Sequence, residues 1–220
     1  MKHADHPTRL SLQDKAAQLI MIDLPGTGLS EADREHLARH AWNGVILFAK
    51  NVASRAQVTD LIEAIHAASP QPALIAVDQE GGRVARFRAA PYSEFPPARA
   101  CSLFGRREAE IARSLGEAIG AELRAAGVDI DFAPVLDADT NPANPVIGDR
   151  AFSSDPAEAG RLGIAFAAGL LSRGILPVGK HFPGHGDTSA DSHEELPVVR
   201  AGEKELGARE LVPFRKAIRW

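Results

Sequence analysis

Two short runs, GVILFA at residues 44–49 and ALIAVD at residues 73–78, are apolar almost from end to end. A strand with one wet face alternates polar and apolar residues. A run without that alternation must be covered on both faces, which is the situation of parallel strands packed against helices. Similar runs occupy residues 18–24, 128–137 and 176–181. Between them, residues 31–40, 55–68, 107–126 and 156–173 carry apolar side chains at helical spacing. The segment VTDLIEAIHAA is representative, with Val58, Leu61, Ile62 and Ile65 on one face. Asp155-Pro156 reads as an N-cap followed by proline in the first helical position, Ser11 with Asp14 as a capping-box variant, and Gly127 and Gly174 as helix stops. Regular strand–helix alternation of this kind specifies an α/β fold with a parallel sheet.

Five such units are visible, and polar residues gather where strands end: Asp78, Asp137 and Lys180-His181. Strand ends carry the site in a (β/α)8 barrel and in a doubly wound open sheet alike, so this feature does not choose between them. A whole barrel takes eight strands and typically ~250 residues. The chain has 220 and ends in a helical pattern, GEKELGARELVPFRKAIRW. The expectation is therefore either an open five-stranded sheet or about the first five βα units of a (β/α)8 barrel. No linker-like or low-complexity segment divides the chain, so residues 1–220 read as one domain.

Composition excludes several classes. With a formal net charge of −4 and no run of Lys or Arg, a nucleic-acid partner is not expected. No window approaches the ~20 apolar residues that span a bilayer, and the first residues lack the apolar core of a signal peptide. The expected location is the cytoplasm, without membrane attachment. The single cysteine, Cys101, rules out an internal disulfide and reads as a small buried side chain.

The chemistry concentrates in KHFPGHGDTSADSHEELPVV, residues 180–199, where Lys180, His181, His185 and His193 stand among Asp187, Asp191, Glu194 and Glu195. Asp191 and His193 are two apart in a loop-like segment, so in an extended chain both side chains fall on one side. A carboxylate beside an imidazole orients the ring and raises its pKa, giving a general acid/base near neutral pH. The same histidines and aspartates are also acceptable ligands for a divalent metal, although no HxH or HExxH spacing occurs. Taken alone, Asp78 and Arg86 fit a loop ion pair equally well, Gly81-Gly82 a plain turn, and Arg150 a surface arginine beside Asp149.

KHFPGHGDTSADSH (180–193), VDQEGGRVARF (77–87) and NPVIGDRAFSSDP (144–156), together with GVILFAKN (44–51), resemble the signatures of the bacterial β-N-acetylglucosaminidases of glycoside hydrolase family 3. The resemblance runs from about Leu12 to the end of the chain. It implies a (β/α)8 barrel and a retaining, exo-acting glycosidase of the peptidoglycan-recycling type that needs no metal and no organic cofactor. Its small-molecule substrate would be an N-acetylglucosaminyl muropeptide or a related glycoside, and the whole protein would be a monomer. It further implies His193 as general acid/base, Asp191 as its dyad partner, and Asp78, Arg86, Arg150, Lys180 and His181 as sugar-binding residues. Enzymes of this family use an aspartate nucleophile in a Ser-Asp-Asp-type motif on a late strand, and no such motif occurs here. The carboxylates after His193 are Glu194, Glu195, Glu203, Glu205 and Glu210, and none matches. The chain therefore looks C-terminally truncated, with the nucleophile beyond residue 220. The 220-residue chain itself is expected to be nearly inactive, and poorly soluble through unpaired sheet edges. Two other readings stay open: a metal-dependent hydrolase using the His/Asp loop, and a non-catalytic sugar-binding relative.

Overall fold

The structure is a computed structural model that describes residues 11–88, 90, 92–189, 198–199 and 201–220. Five parallel strands form one sheet: β1 (Met21–Ile22), β2 (Gly44–Leu47), β3 (Leu74–Val77), β4 (Ile130–Asp131) and β5 (Leu176–Pro177). The helices are α1 (Leu12–Ala17), α2 (Glu31–Arg39), α3 (Arg55–Ala68), α4 (Glu108–Ala126), α5 (Pro156–Ser172), α6 (Glu203–Ala208) and α7 (Leu211–Arg219). Spatial order in the sheet is β1-β2-β3-β4-β5, the order of the sequence. A doubly wound sheet reverses direction at a switch point, whereas a barrel wall adds each strand beside the last. The uninterrupted order settles the choice left open by the sequence: these are five consecutive units of a (β/α)8 barrel wall.

The helix boundaries follow local capping. Ser30 and Asp33 form a complete capping box at α2, Ser54 and Gln57 another at α3, and the Asp155 side chain caps α5 ahead of Pro156. At α1 the Ser11 hydroxyl accepts from the Asp14 backbone N–H and donates to its carboxylate. Gly127 closes α4 at φ 91°, a left-handed conformation that costs any other residue. Residues Ala98–Arg107 form a 3₁₀ segment that periodicity does not reveal, kinked within by Gly105 at φ 54°.

Val45 and Leu47 of β2 and Ile75 and Val77 of β3 are fully enclosed on one face of the sheet, and on the other Ala76 is buried while Ile46 and Leu74 are half-buried. Val58, Leu61, Ile62 and Ile65 of α3 pack on them, and Ile119, Leu123, Leu162, Phe166 and Leu170 continue the core under α4 and α5. The α4 and α5 backbones meet at Gly116 and Gly169. A Cβ on Gly169 would run into the Arg113 carbonyl, so the two helices touch only because no side chain intervenes. α7 lies against α5, with Phe214 buried and Lys216 donating to the Ala157 carbonyl.

The fourth and fifth strands are shorter than their apolar runs suggest. Pro134 and Pro177 supply no backbone donor, so regular pairing stops near them. Irregular pairing continues beyond: Leu136 N donates to the Lys180 carbonyl at 2.7 Å, and Lys180 N to the Pro134 carbonyl at 3.1 Å. These bonds bring Lys180 and His181 level with Asp137 at the carboxyl end of the sheet.

Candidate active site

Immediately after β3, Asp78, Gln79 and Glu80 open a tight loop. Gln79 closes it: its side-chain oxygen accepts from the N–H groups of Arg86 (2.8 Å) and Phe87 (3.1 Å), and its amide donates to the Phe87 carbonyl (3.0 Å). Gly81 and Gly82 turn the chain with φ of 88° and 55°, against Pro96 and Pro97, where a side chain has no room. The two glycines do make the turn, and the turn aims Asp78, Glu80 and Arg86 into one pocket.

That pocket, of about 310 Å³, is lined by Asp78, Glu80, Arg86, Arg150, Lys180, His181 and His185, with Val84 and Val146 as apolar wall. Its charges alternate along a continuous chain. Arg86 donates to Asp78 at 3.1 Å, and Lys180 donates to Asp78 at 2.7 Å and pairs with Glu80 at 2.6 Å. Arg150 grips Glu80 with two bonds of 2.8 Å and reaches His181 Nε2 at 3.2 Å, while His181 Nδ1 lies 2.6 Å from Asp137. The Arg86 guanidinium also sits over the Phe48 ring, 5.7 Å from its centroid.

An arginine can only donate, so His181 Nε2 is the acceptor and Nδ1 carries the proton that goes to Asp137. The Asp137 side chain is entirely enclosed and has two further donors, His181 N at 3.0 Å and His185 N at 2.6 Å. One carboxylate thus fixes both ends of the turn 181–185, whose course includes cis peptide bonds at Lys180–His181 and Phe182–Pro183. Asn144 supports the same turn from the other side: its amide donates to the carbonyls of His185 and Gly186, and its oxygen accepts from Val146 N and Ile147 N. The hydroxyl of Thr188 donates to the His185 carbonyl, so the 2.5 Å contact with His185 Nδ1 has the ring as donor. His185 Nε2 is left buried and without a partner among the described residues.

Burial works to raise the Asp78 carboxyl, but Lys180 and Arg86 outweigh it and hold it below its ordinary value. Burial likewise opposes the charge on Arg150, and Glu80 more than compensates. Beneath the pocket lies Asp131, fully buried. One of its oxygens accepts from Gln79 N at 2.9 Å, and burial pushes its pKa well above the carboxylate range.

Five of the seven residues singled out in the sequence, Asp78, Arg86, Arg150, Lys180 and His181, therefore share one pocket. His193 and Asp191 lie outside the described residues, as do Glu194 and Glu195. Arg150 is no surface residue paired with Asp149: it is nearly buried on Glu80, and Asp149 pairs with Arg83. Both ring nitrogens of His181 are engaged, and no group of three or more metal-binding side chains assembles among the described residues. Sequence reasoning missed Glu80 and His185 as pocket residues and the anchoring roles of Asp137 and Asn144. Charge counting reveals Glu80: one carboxylate, Asp78, cannot balance Arg86, Arg150 and Lys180, and Glu80 is two residues away on the same side.

Parallel strands in sequence order, with a charged pocket at their carboxyl ends, define the wall of a (β/α) barrel with its candidate site where such barrels carry theirs. The chain belongs to glycoside hydrolase family 3: residues 11–220 match the glycosyl hydrolase family 3 N-terminal domain. Its relatives include β-hexosaminidases. That of Nitrosomonas eutropha is 44% identical over 203 residues, covering 90% of this chain and 58% of that protein. That of Thiobacillus denitrificans is 46% identical over 200 residues, covering 89% and 55%. NagZ from Neisseria gonorrhoeae, in complex with N-trifluoroacetyl-D-glucosamine, superposes with a TM-score of 0.85 at 36% identity, over 91% of this chain and 60% of that one. A family 3 β-N-acetylglucosaminidase from a Paenibacillus species gives 0.90 at 38% identity, over 96% and 40%. The chain spans just over half the length of these curated relatives.

Proposed function

We propose that residues 1–220 form the sugar-holding part of a family 3 catalytic domain, in a retaining, exo-acting β-N-acetylglucosaminidase. The substrate would be a terminal non-reducing N-acetylglucosamine on a muropeptide or chitooligosaccharide-like glycoside, met in the cytoplasm and processed without a cofactor. The observation that carries this reading is the charged pocket at the strand ends, in a chain resembling a protein crystallised with an N-acylglucosamine.

The pocket suits a polyhydroxylated ring. Each carboxylate oxygen of Asp78 holds one cation and keeps a lone pair, so neighbouring hydroxyls can donate to it. Lys180 donates one N–H to Asp78 and stands in an ion pair with Glu80, which leaves donors for a ligand. Arg150 uses one NH1 hydrogen on the Val146 carbonyl and keeps the other. His181 offers Nε2 as an acceptor that a hydroxyl can share with or take from Arg150, and Arg86 holds Asp78 in place. In the reaction, His193, oriented by Asp191, protonates the leaving glycosidic oxygen and then activates water. An aspartate outside residues 1–220 attacks the anomeric carbon, giving the covalent glycosyl intermediate of a retaining enzyme.

The test uses the 220-residue chain itself. Titration calorimetry is expected to show saturable binding of N-acetylglucosamine and weaker binding of glucose, with hydrolysis of an aryl N-acetyl-β-glucosaminide at background. Failure to bind the amino sugar overturns the sugar site, and robust turnover overturns the placement of the nucleophile.

A further inference from the structure

Glu80 is the most enclosed charge of the pocket, its side chain 4% exposed, and all of its bonding goes to two cations. Oε2 accepts from Arg150 Nε, while Oε1 takes Arg150 NH2 at 2.8 Å and Lys180 Nζ at 2.6 Å. Both of its oxygens are already taken by these cations. The consequence lies in what the two cations have left. Arg150 has five N–H groups: two go to Glu80, one to His181 and one to the Val146 carbonyl. The planar fork of a guanidinium held on both edges cannot swing, so its remaining N–H has one direction. Lys180 is a flexible stem with three donors, and its hydrogen bond to Asp78 together with its ion pair to Glu80 removes that freedom.

Glu80 is itself held by the backbone. Its N–H donates to the Val84 carbonyl at 2.9 Å, and the preceding N–H, of Gln79, is taken by the enclosed Asp131. The carboxylate therefore stands on a fixed base at the end of β3 and ties β5, through Lys180, to the 3₁₀ turn Gly148–Arg150.

We propose that Glu80 is the positioning residue of this site: it touches no substrate, and it aims the free N–H groups of Arg150 and Lys180 at one ligand. The consequence for sugar affinity rests on the reading of the pocket given above, whereas the positioning itself does not. Glu80→Gln keeps the shape but removes the charge, and its amide nitrogen faces an arginine donor on one side or a lysine and an arginine donor on the other. Glu80→Asp keeps the charge and retracts it by one carbon, out of reach of both partners together.

The experiment is an arginine side-chain NMR measurement on the 220-residue chain, with Arg150 assigned by its loss in Arg150→Lys, followed by N-acetylglucosamine titration. In the wild type the Arg150 Nε–H should exchange slowly, unlike that of exposed Arg106. In Glu80→Gln the protection should vanish with the amide spectrum retained, and sugar binding should weaken about 10- to 100-fold; Glu80→Asp should not rescue either. Fast exchange in the wild type, or protection and affinity that survive in Glu80→Gln, overturns the proposal. If Glu80→Gln does not fold, the wild-type signal and Glu80→Asp still decide. If the wild type binds no N-acetylglucosamine, the sugar reading fails while the Arg150 signal still judges the positioning.

Discussion

Asp137→Asn changes one enclosed atom and should unfasten the turn 181–185. The carboxylate accepts three bonds: His181 N at 3.0 Å, His181 Nδ1 at 2.6 Å and His185 N at 2.6 Å. An asparagine has one acceptor oxygen, and its NH2 group must face a donor whichever way the amide turns. The less costly orientation points NH2 at His185 N alone. That loses one charge-assisted bond, worth roughly 1.5–3 kcal/mol, and lowers the other two to ordinary neutral bonds. The other orientation meets two donors at His181. Moving the histidine proton to Nε2 gives no escape, because that nitrogen would then face Arg150. The sum is about 3.5–5 kcal/mol of stability, and at 2–4 °C per kcal/mol for a chain of this size the midpoint should fall by about 13 °C. Urea and thermal unfolding followed by circular dichroism measure it, with Asp149→Asn as control. That variant breaks only a half-exposed ion pair with Arg83 and should cost less than about 1 kcal/mol. A loss below about 0.5 kcal/mol for Asp137→Asn would refute the anchoring role.

Two further outcomes follow from buried groups. Asp131 is raised by burial, so the folded state holds its proton more tightly than the unfolded one. Its contribution is fully present below ~4 and is lost as pH rises through the folded value. Asp131→Asn keeps the acceptor for Gln79 N and should gain on the wild type as pH rises from 4 to 8 in urea titrations. A difference independent of pH would contradict this. Cys101 is buried and its thiol is pushed up to about 11, so an aromatic disulfide reagent at pH 8 should label it only after denaturation. Prompt labelling of the native chain would count against that environment.

How much of this was legible in the sequence depended on whether a residue's fate was decided locally. GVILFA and ALIAVD were readable as strands because burial on both faces leaves no polar alternation, and α3 was readable to the residue from Arg55 to Ala68 because one face carries its apolar side chains. The 3₁₀ segment Ala98–Arg107 has no such period, and the arrest of β4 and β5 depends on where Pro134 and Pro177 fall in the ladder. Barrel or doubly wound sheet was a question of strand order, which no single unit encodes. In the site, Asp78, Arg86, Arg150, Lys180 and His181 were found through motifs. Asp137 stood at a strand end and Glu80 inside one of those motifs, but their roles were not readable, because their work is to hold cations and backbone across gaps of 70 and 44 residues. The assignments of His193 and Asp191 rest on sequence alone.

A crystal structure of this chain grown with N-acetylglucosamine would show whether the charged pocket holds the sugar. One pyranose should occupy the pocket of Asp78, Arg150 and Lys180, with hydroxyls on the Asp78 carboxylate and the spare N–H groups of the two cations. An empty pocket at saturating sugar, or a sugar bound elsewhere with the Arg86–Asp78–Lys180–Glu80–Arg150 chain untouched, would contradict it.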